Sequence, residues 1–446
     1  MLNEGYREYV VSSLERYWKN KNVYILGLPV PTATWPTKES EPPEICEVKL
    51  PTWAQDLGID GCLIVPRWAT ESELWHQTDW FGAIFWFLNC EAERAYEKKN
   101  GPIHSYSFRL RHWDERIWER AWVNRMAMFL RRWASYTLKQ PEESLFGPLP
   151  FTKIWLTHDV DAVHKTLAIR IKQAVFCCFN SVRFLLSGRL SAALTKGKQA
   201  LRFLFGRSED YCHLLDKIAC MEEKAAVRGI FLLYAGNKKR KNLLSAWLFD
   251  PSYDIKTGCL KKTIVKLAQA GWSIGLHQSY HSWKYCNDMT VEKARMEDSL
   301  GMPVTMCRQH WLRFSWRDTW QAQAVAGLKV DFTLGFNDRT GFRNAAAIMA
   351  KPCISQSNEI INIDTVPLVL MDSHLYDYSL SDEDARLAKM KAIIDEVYAV
   401  RGQASILWHP HTLSSDYNWG QGFEQLLNII KEKVENEILD TRTSAT

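Results

Sequence analysis

Asp159 and Asp161 stand two residues apart at the end of a short apolar run, FTKIWL over 151–156. On a strand, that spacing puts both carboxylates on one face. Two carboxylates so placed repel, and one is driven to hold its proton unless a cation lies beside them. The pair asks for a metal ion or a catalytic proton, although an Asp-x-Asp alone also marks a strand end followed by an Asx turn. Downstream, Ile274-Gly275-Leu276 leads into His277 and His281, four residues apart. On a helical turn both imidazoles share a face and can share one divalent ion. One Asp and two His, with a position left for water, make a catalytic zinc or iron set. Near the C-terminus a third apolar run, Ile406-Leu407-Trp408, ends in His409.

Each of these groups follows a short apolar run, and in α/β folds chemistry gathers at the carboxyl ends of strands. From 209 to 434 the pattern alternates: strands are expected at 229–234, 273–276, 306–310, 329–333 and 404–408, with helices between them and with 362–367 and 368–371 flanking a turn. Repeated strand-then-helix units argue for a parallel sheet or barrel. Residues 1–145 read as a smaller α/β region. Strands are expected at 22–27 and 61–66, a buried helix at 79–88 and a longer helix at 114–133. Eleven of the 20 tryptophans fall there, which favours an aromatic core over a sugar-stacking surface. The segment 140–150, QPEESLFGPLP, is a linker by its prolines and glycine. Between 162 and 208 lie nine Lys or Arg and no Asp or Glu, interleaved with Leu, Ile, Val and Phe. That composition reads as two basic amphipathic helices inserted after the first catalytic strand, suited to an anionic membrane surface or to packing on the barrel.

In this order the blocks resemble the polysaccharide deacetylase family, also called carbohydrate esterase family 4 or the NodB-homology fold. The family's Asp-Asp block is matched by Asp159 and Asp161, and its H-x-x-x-H block by His277 and His281. Its Arg block is matched by Arg308 in CRQHW, its later Asp block by Asp331 in VDFTLGF, and its Leu-x-His by Leu407 and His409. The likeness is greater to a bacterial subgroup whose blocks read LTHDVD, GLHxSY, RQH(Y/W)LRF, DxTLG(Y/F) and LWH, with an N-terminal accessory region. It covers residues 150 to 430. The family's usual Thr-Phe-Asp-Asp-Gly reads here as Thr157-His158-Asp159-Val160-Asp161-Ala162, with one residue between the acids.

The resemblance implies an irregular (β/α)7 barrel over 150–446, carrying the 162–208 insertion and preceded by an α/β accessory domain over 1–145. It implies metal-dependent hydrolysis of an amide, an N-acetyl group, on an amino sugar of a surface-glycan precursor. Asp161, His277 and His281 would hold one divalent ion: zinc, or else cobalt or nickel. Asp159 would be the base for water and His409 the acid for the leaving amine. Arg308 would orient Asp159, and Asp331 would orient and charge His409. His158, His164, His310, His374 and His411 lie beside the blocks and read as supporting or structural. Two other readings stay open: a metal amidohydrolase acting on a non-sugar amide, and a non-catalytic membrane-surface module.

The chain has 446 residues, of which 46% are hydrophobic and 24% charged, as in ordinary globular proteins. A net charge of +5 gives no global signal for nucleic acid. No apolar run is long enough to span a membrane, and the first residues carry no apolar signal core. The 11 cysteines are scattered without CxxC spacing, as expected of reduced thiols. These features predict a cytoplasmic protein, peripheral at the inner membrane face through 162–208. Its substrate would be an amino sugar carried on a nucleotide or a lipid-linked glycan.

Overall fold

The structure, a computed structural model, describes residues 5–36, 40–207, 210–236, 249–355, 357, 359–378 and 382–443. Its strands are β1 (Ile45–Lys49), β2 (Cys62–Pro66), β3 (Lys153–Val160), β4 (Ile230–Tyr234), β5 (Ser273–Gln278) and β6 (Met306–Gln309). They continue with β7 (Val330–Asp331), β8 (Cys353–Ile354), β9 (Glu359–Ile360), β10 (Asp364–Thr365), β11 (Leu368–Met371) and β12 (Gln403–Leu407). Eight of them form one parallel sheet in the order β10-β7-β6-β5-β4-β3-β12-β11.

β10 and β11 are the outermost strands of this order, yet only Val366 and Pro367 separate them in the chain. The sheet therefore curls until its two ends meet. Val366 N donates to the Asp331 carbonyl at 2.9 Å, Leu368 N to that of Leu334 at 2.7 Å, and Ser405 N to that of Pro367 at 2.8 Å. Counted as one bent strand, β10 and β11 give a curled sheet of seven parallel strands.

The alternation of strand side chains divides the residues between two environments. Leu156 and Val160 of β3, Ile274 and Leu276 of β5, Cys307 of β6 and Ile406 of β12 join the core between sheet and surrounding helices. Ile230, Leu232, Phe332 and Val366, with Trp155 and Met306 against them, fill the inside of the curl. Residues of that second parity, read on toward the carboxyl ends, are Thr157 and Asp159, His277, and Arg308.

The N-terminal residues pack a second core, which also takes in Phe336, Ala345, Ala346, Ile348, Ala350 and Cys353. All eleven tryptophans of residues 1–145 lie in this core or against it. β1 and β2 pair antiparallel. The helix expected at 79–88 forms over Trp80–Leu88, with the Asp79 carboxylate accepting from Gly82 N at its start. Three expectations differ. The segment 140–150, expected as a linker, holds a short helix, Glu142–Phe146, with Leu145 and Phe146 in this core. Asn22–Leu26 is a short helix with only Ile25 buried, a one-sided pattern that a strand without a partner cannot use. The stretch 114–133 breaks into Arg116–Glu119 and Trp122–Leu138, because Ala121 N turns out to donate to Glu396 Oε1 at 3.1 Å. The insertion folds as two helices, Leu167–Leu186 and Leu190–Phe205, the first capped by the Thr166 hydroxyl accepting from Ile169 N.

Candidate metal centre

The fully buried Arg308 reaches from β6 across the inside of the curl to β3. Its Nη1 donates to Asp159 Oδ1 at 2.8 Å, its Nη2 to Thr157 Oγ1 at 2.9 Å and its Nε to the Phe332 carbonyl at 2.9 Å. Three anchors fix the guanidinium plane and commit one oxygen of Asp159. The other oxygen, Oδ2, lies 3.7 Å from His277 Nδ1.

His277, one residue before the end of β5, lies in register with Arg308. Its Nδ1 lies 3.1 Å from the Arg308 carbonyl, which can only accept, so the Nδ1 proton is placed there. That leaves Nε2 facing Asp161 Oδ1 at 3.2 Å. His310 Nε2 lies 3.7 Å from the same oxygen. The ligand atoms of Asp161, His277 and His310 all fall within 4.8 Å of one another. Asp161 Oδ1 is buried yet receives no hydrogen bond. Burial opposes the charge of Asp161, but the imidazoles of His310, His277 and His409 outweigh it and hold the carboxyl well below its ordinary range. Burial likewise pushes His277 down, and Asp159 and Asp161 lift it above its ordinary value. An orphaned carboxylate oxygen facing two imidazole nitrogens fits such an ion, and one carboxylate with two imidazoles is a donor set zinc accepts.

His409 follows β12 on the far side of Asp161, its Nε2 3.5 Å from Asp161 Oδ2. Asp372, the residue after β11, accepts from His409 Nδ1 at 2.8 Å and from its backbone N at 2.9 Å, and Thr412 Oγ1 donates to Asp372 Oδ2 at 3.2 Å. Burial pushes His409 down, but Asp372 first and then Asp161 and Asp159 raise it to about 10.

Asp159, Asp161, His277, Arg308 and His409 thus come together. The other two expected residues stand apart. His281 is not among the clustered ligand atoms; it is half-buried, edge-on to the Tyr280 ring at 5.0 Å, and His310 occupies the third place. The physical reason is that β5 runs through Gln278 and gives way to a turn, not a helix, so a four-residue spacing no longer aligns the two rings. Asp331 accepts from Trp320 Nε1 at 3.0 Å, Gln323 Nε2 at 2.9 Å and Thr333 N at 3.1 Å, a polar anchor behind the sheet; the carboxylate on His409 is that of Asp372. Both missed residues had a legible signal. His310 is two places beyond Arg308 and shares its parity, and Asp372 ends the apolar run LVLM as Asp159 ends its own. Of the remaining histidines, His158 points outward and is held between the Trp408 carbonyl and Glu222 Oε1, both at 2.8 Å. His164 faces Asp210, His374 bridges Met371 N and the Phe336 carbonyl, and His411 packs between His409 and Tyr417.

An aromatic wall stands beside His310. Phe249 and Tyr280 stack at 4.4 Å, and the half-exposed Trp311 sits edge-on to Phe249 at 6.3 Å. Trp311 has φ 56°, a left-handed conformation that costs energy for a bulky residue and recurs at binding sites.

No protein-family profile and no curated protein matches the chain. Solved structures that overlap it include the chitin deacetylase of the fungal pathogen Colletotrichum lindemuthianum: 11% identical, covering 64% of this chain and 83% of that one, TM-score 0.31. A polysaccharide deacetylase from Bacillus cereus overlaps at 12% identity, 63% and 88% coverage and TM-score 0.29. A carbohydrate esterase family 4 pseudoenzyme from Bacillus anthracis does so at 11%, 64% and 62%, with TM-score 0.29.

Proposed function

We propose that the protein hydrolyses an amide, the N-acetyl group of an amino sugar in a surface-glycan precursor, at one divalent ion held by Asp161, His277 and His310. The carrying observation is the buried Asp161 oxygen set between the Nε2 atoms of His277 and His310, flanked on one side by the Asp159 carboxylate and on the other by the His409 imidazole. When bound, the ion supplies Lewis acidity to the amide carbonyl and acidifies water. Asp159, turned by Arg308, accepts a proton from the attacking water at Oδ2. The C–N bond then breaks, and His409 gives its Nε2 proton to the departing nitrogen, so that acetate and a free amine result. Asp372 holds His409 in the donating form. The exposed face of Trp311 offers an apolar plane for a sugar ring.

Metal analysis with turnover on N-acetylated amino-sugar substrates tests this assignment. His310→Ala is expected to lose bound zinc and to fall by orders of magnitude in acetate release, while His281→Ala keeps its metal. The reverse result would return the third ligand to His281. A wild-type protein that binds no zinc, cobalt or nickel would sink the hydrolytic reading.

A further inference from the structure

The helical hairpin after β3 is built inside out. On Leu167–Leu186 the buried face carries Ala168, Ala174, Cys177, Asn180 and Phe184, mostly small or polar. Its outward face carries Leu167, Ile171, Val175, Phe179, Val182 and Leu186, spaced three or four apart along the whole helix and all exposed. Leu190–Phe205 repeats the arrangement. Ala193, Lys196, Ala200 and Phe203 are buried, and Leu190, Leu194, Leu201 and Phe205 are exposed. Leu186 is 84% and Phe205 81% exposed. Single exposed apolar residues are ordinary, but two continuous stripes on one hairpin are not.

The charge says what covers them. Residues 162–207 hold nine cations and no acid. Lys165 pairs with Asp416, Lys196 with Asp377, and Arg183 and Arg202 donate to the Tyr378 and Ser415 carbonyls, so these four hold the hairpin to the body. Arg189, Lys198 and Arg207 remain exposed beside the stripes. A second copy meeting this face would bring cations against cations. An anionic lipid leaflet offers both what the stripes and what the charges need. Neither helix is long and apolar enough to cross a membrane.

We propose that the hairpin Leu167–Phe205 lies in the headgroup boundary of an anionic membrane, with its Leu, Val and Phe stripes inserted and Arg189 and Lys198 on the lipid phosphates. Its inner face packs Phe203 on Tyr417 at 5.0 Å, Tyr417 lies 5.0 Å from His411, and His411 lies 5.5 Å from His409. The docked hairpin thus brings the candidate site's end of the barrel to the leaflet. If the hydrolytic reading holds, on which this clause alone rests, the substrate is an amino sugar carried by a membrane lipid.

Flotation of the full chain with phosphatidylcholine vesicles, with and without phosphatidylglycerol, tests the proposal. The protein is expected to float only with the anionic vesicles and to be released in large part by high salt. Leu186→Ser/Phe205→Ser and Arg189→Glu/Lys198→Glu, each checked for an unchanged circular dichroism spectrum, are expected to cut the floated fraction at least about tenfold. Absence of flotation at low salt overturns the proposal. So does a concentration-dependent dimer that Leu186→Ser/Phe205→Ser dissolves, since the face then covers itself. Binding is read without turnover, so failure here leaves the proposed chemistry standing, and an inactive protein leaves the membrane result standing.

Discussion

In the proposed hydrolysis His409 donates a proton at neutral pH, and only the carboxylates around it would let it do so. Burial alone would leave it neutral; Asp372, at 2.8 Å, is the first cause that lifts it to about 10. A group that must be protonated loses function as pH rises through its pKa. In Asp372→Asn the chief raising charge is gone, so the pKa of His409 falls and activity should fade at a lower pH than in the wild type. The rate at neutral pH should drop on the order of 100-fold, the size of a general-acid contribution. A pH–rate profile whose basic limb stays put would show that Asp372 has no hold on His409. The two aspartates of the HDVD block and both histidine-bearing strand ends could be read from spacing, because a strand fixes side-chain parity. The partner of His409 could not. VDFTLGF and LVLMD each place an acid at a strand end, and only the sheet order, with β11 and not β7 paired to β12, separates them.

At the scale of elements, β5 shows how tightly parity and packing are coupled. Gly275 faces inward two residues before His277, and a Cβ there would lie 2.5 Å from Leu232 Cδ2 and 2.9 Å from the Met306 carbonyl. β4 and β6 close on β5 only because that side chain is missing, and their closeness sets the His277–Arg308 register. Gly275→Ala is expected to cost about 1–3 kcal/mol by overpacking, measurable by denaturant unfolding, with weakened metal retention as its companion. Unchanged stability would mean that the neighbouring strands can yield. Elements with a strong apolar signature, such as Trp80–Leu88 and the barrel strands, were legible because burial on one or all faces leaves a pattern. Asn22–Leu26 was not: five residues with an apolar run look alike as strand or helix, and only the lack of a strand partner decides.

Across the whole molecule, the site draws on five strands, β3, β5, β6, β11 and β12, whose residues are scattered from Asp159 to His409. The order of the blocks along the chain was enough to expect an α/β barrel. What no spacing shows is that residues 345–353 fill the N-terminal core, since that contact joins segments far apart in the chain. One arrangement has a further effect. β12 is the last strand to be made, yet it sits between β3 and β11 in the sheet. Until the ribosome has released residues 403–407, β3 presents a bare hydrogen-bonding edge and β11 lacks its parallel strand partner. Such edges recruit other chains. A chain stopped after Val400 should therefore collect in the insoluble fraction on expression, and a soluble monomer of that length would show that another segment shields β3. On this account the last strand of the sheet is the piece that ends the exposure of β3.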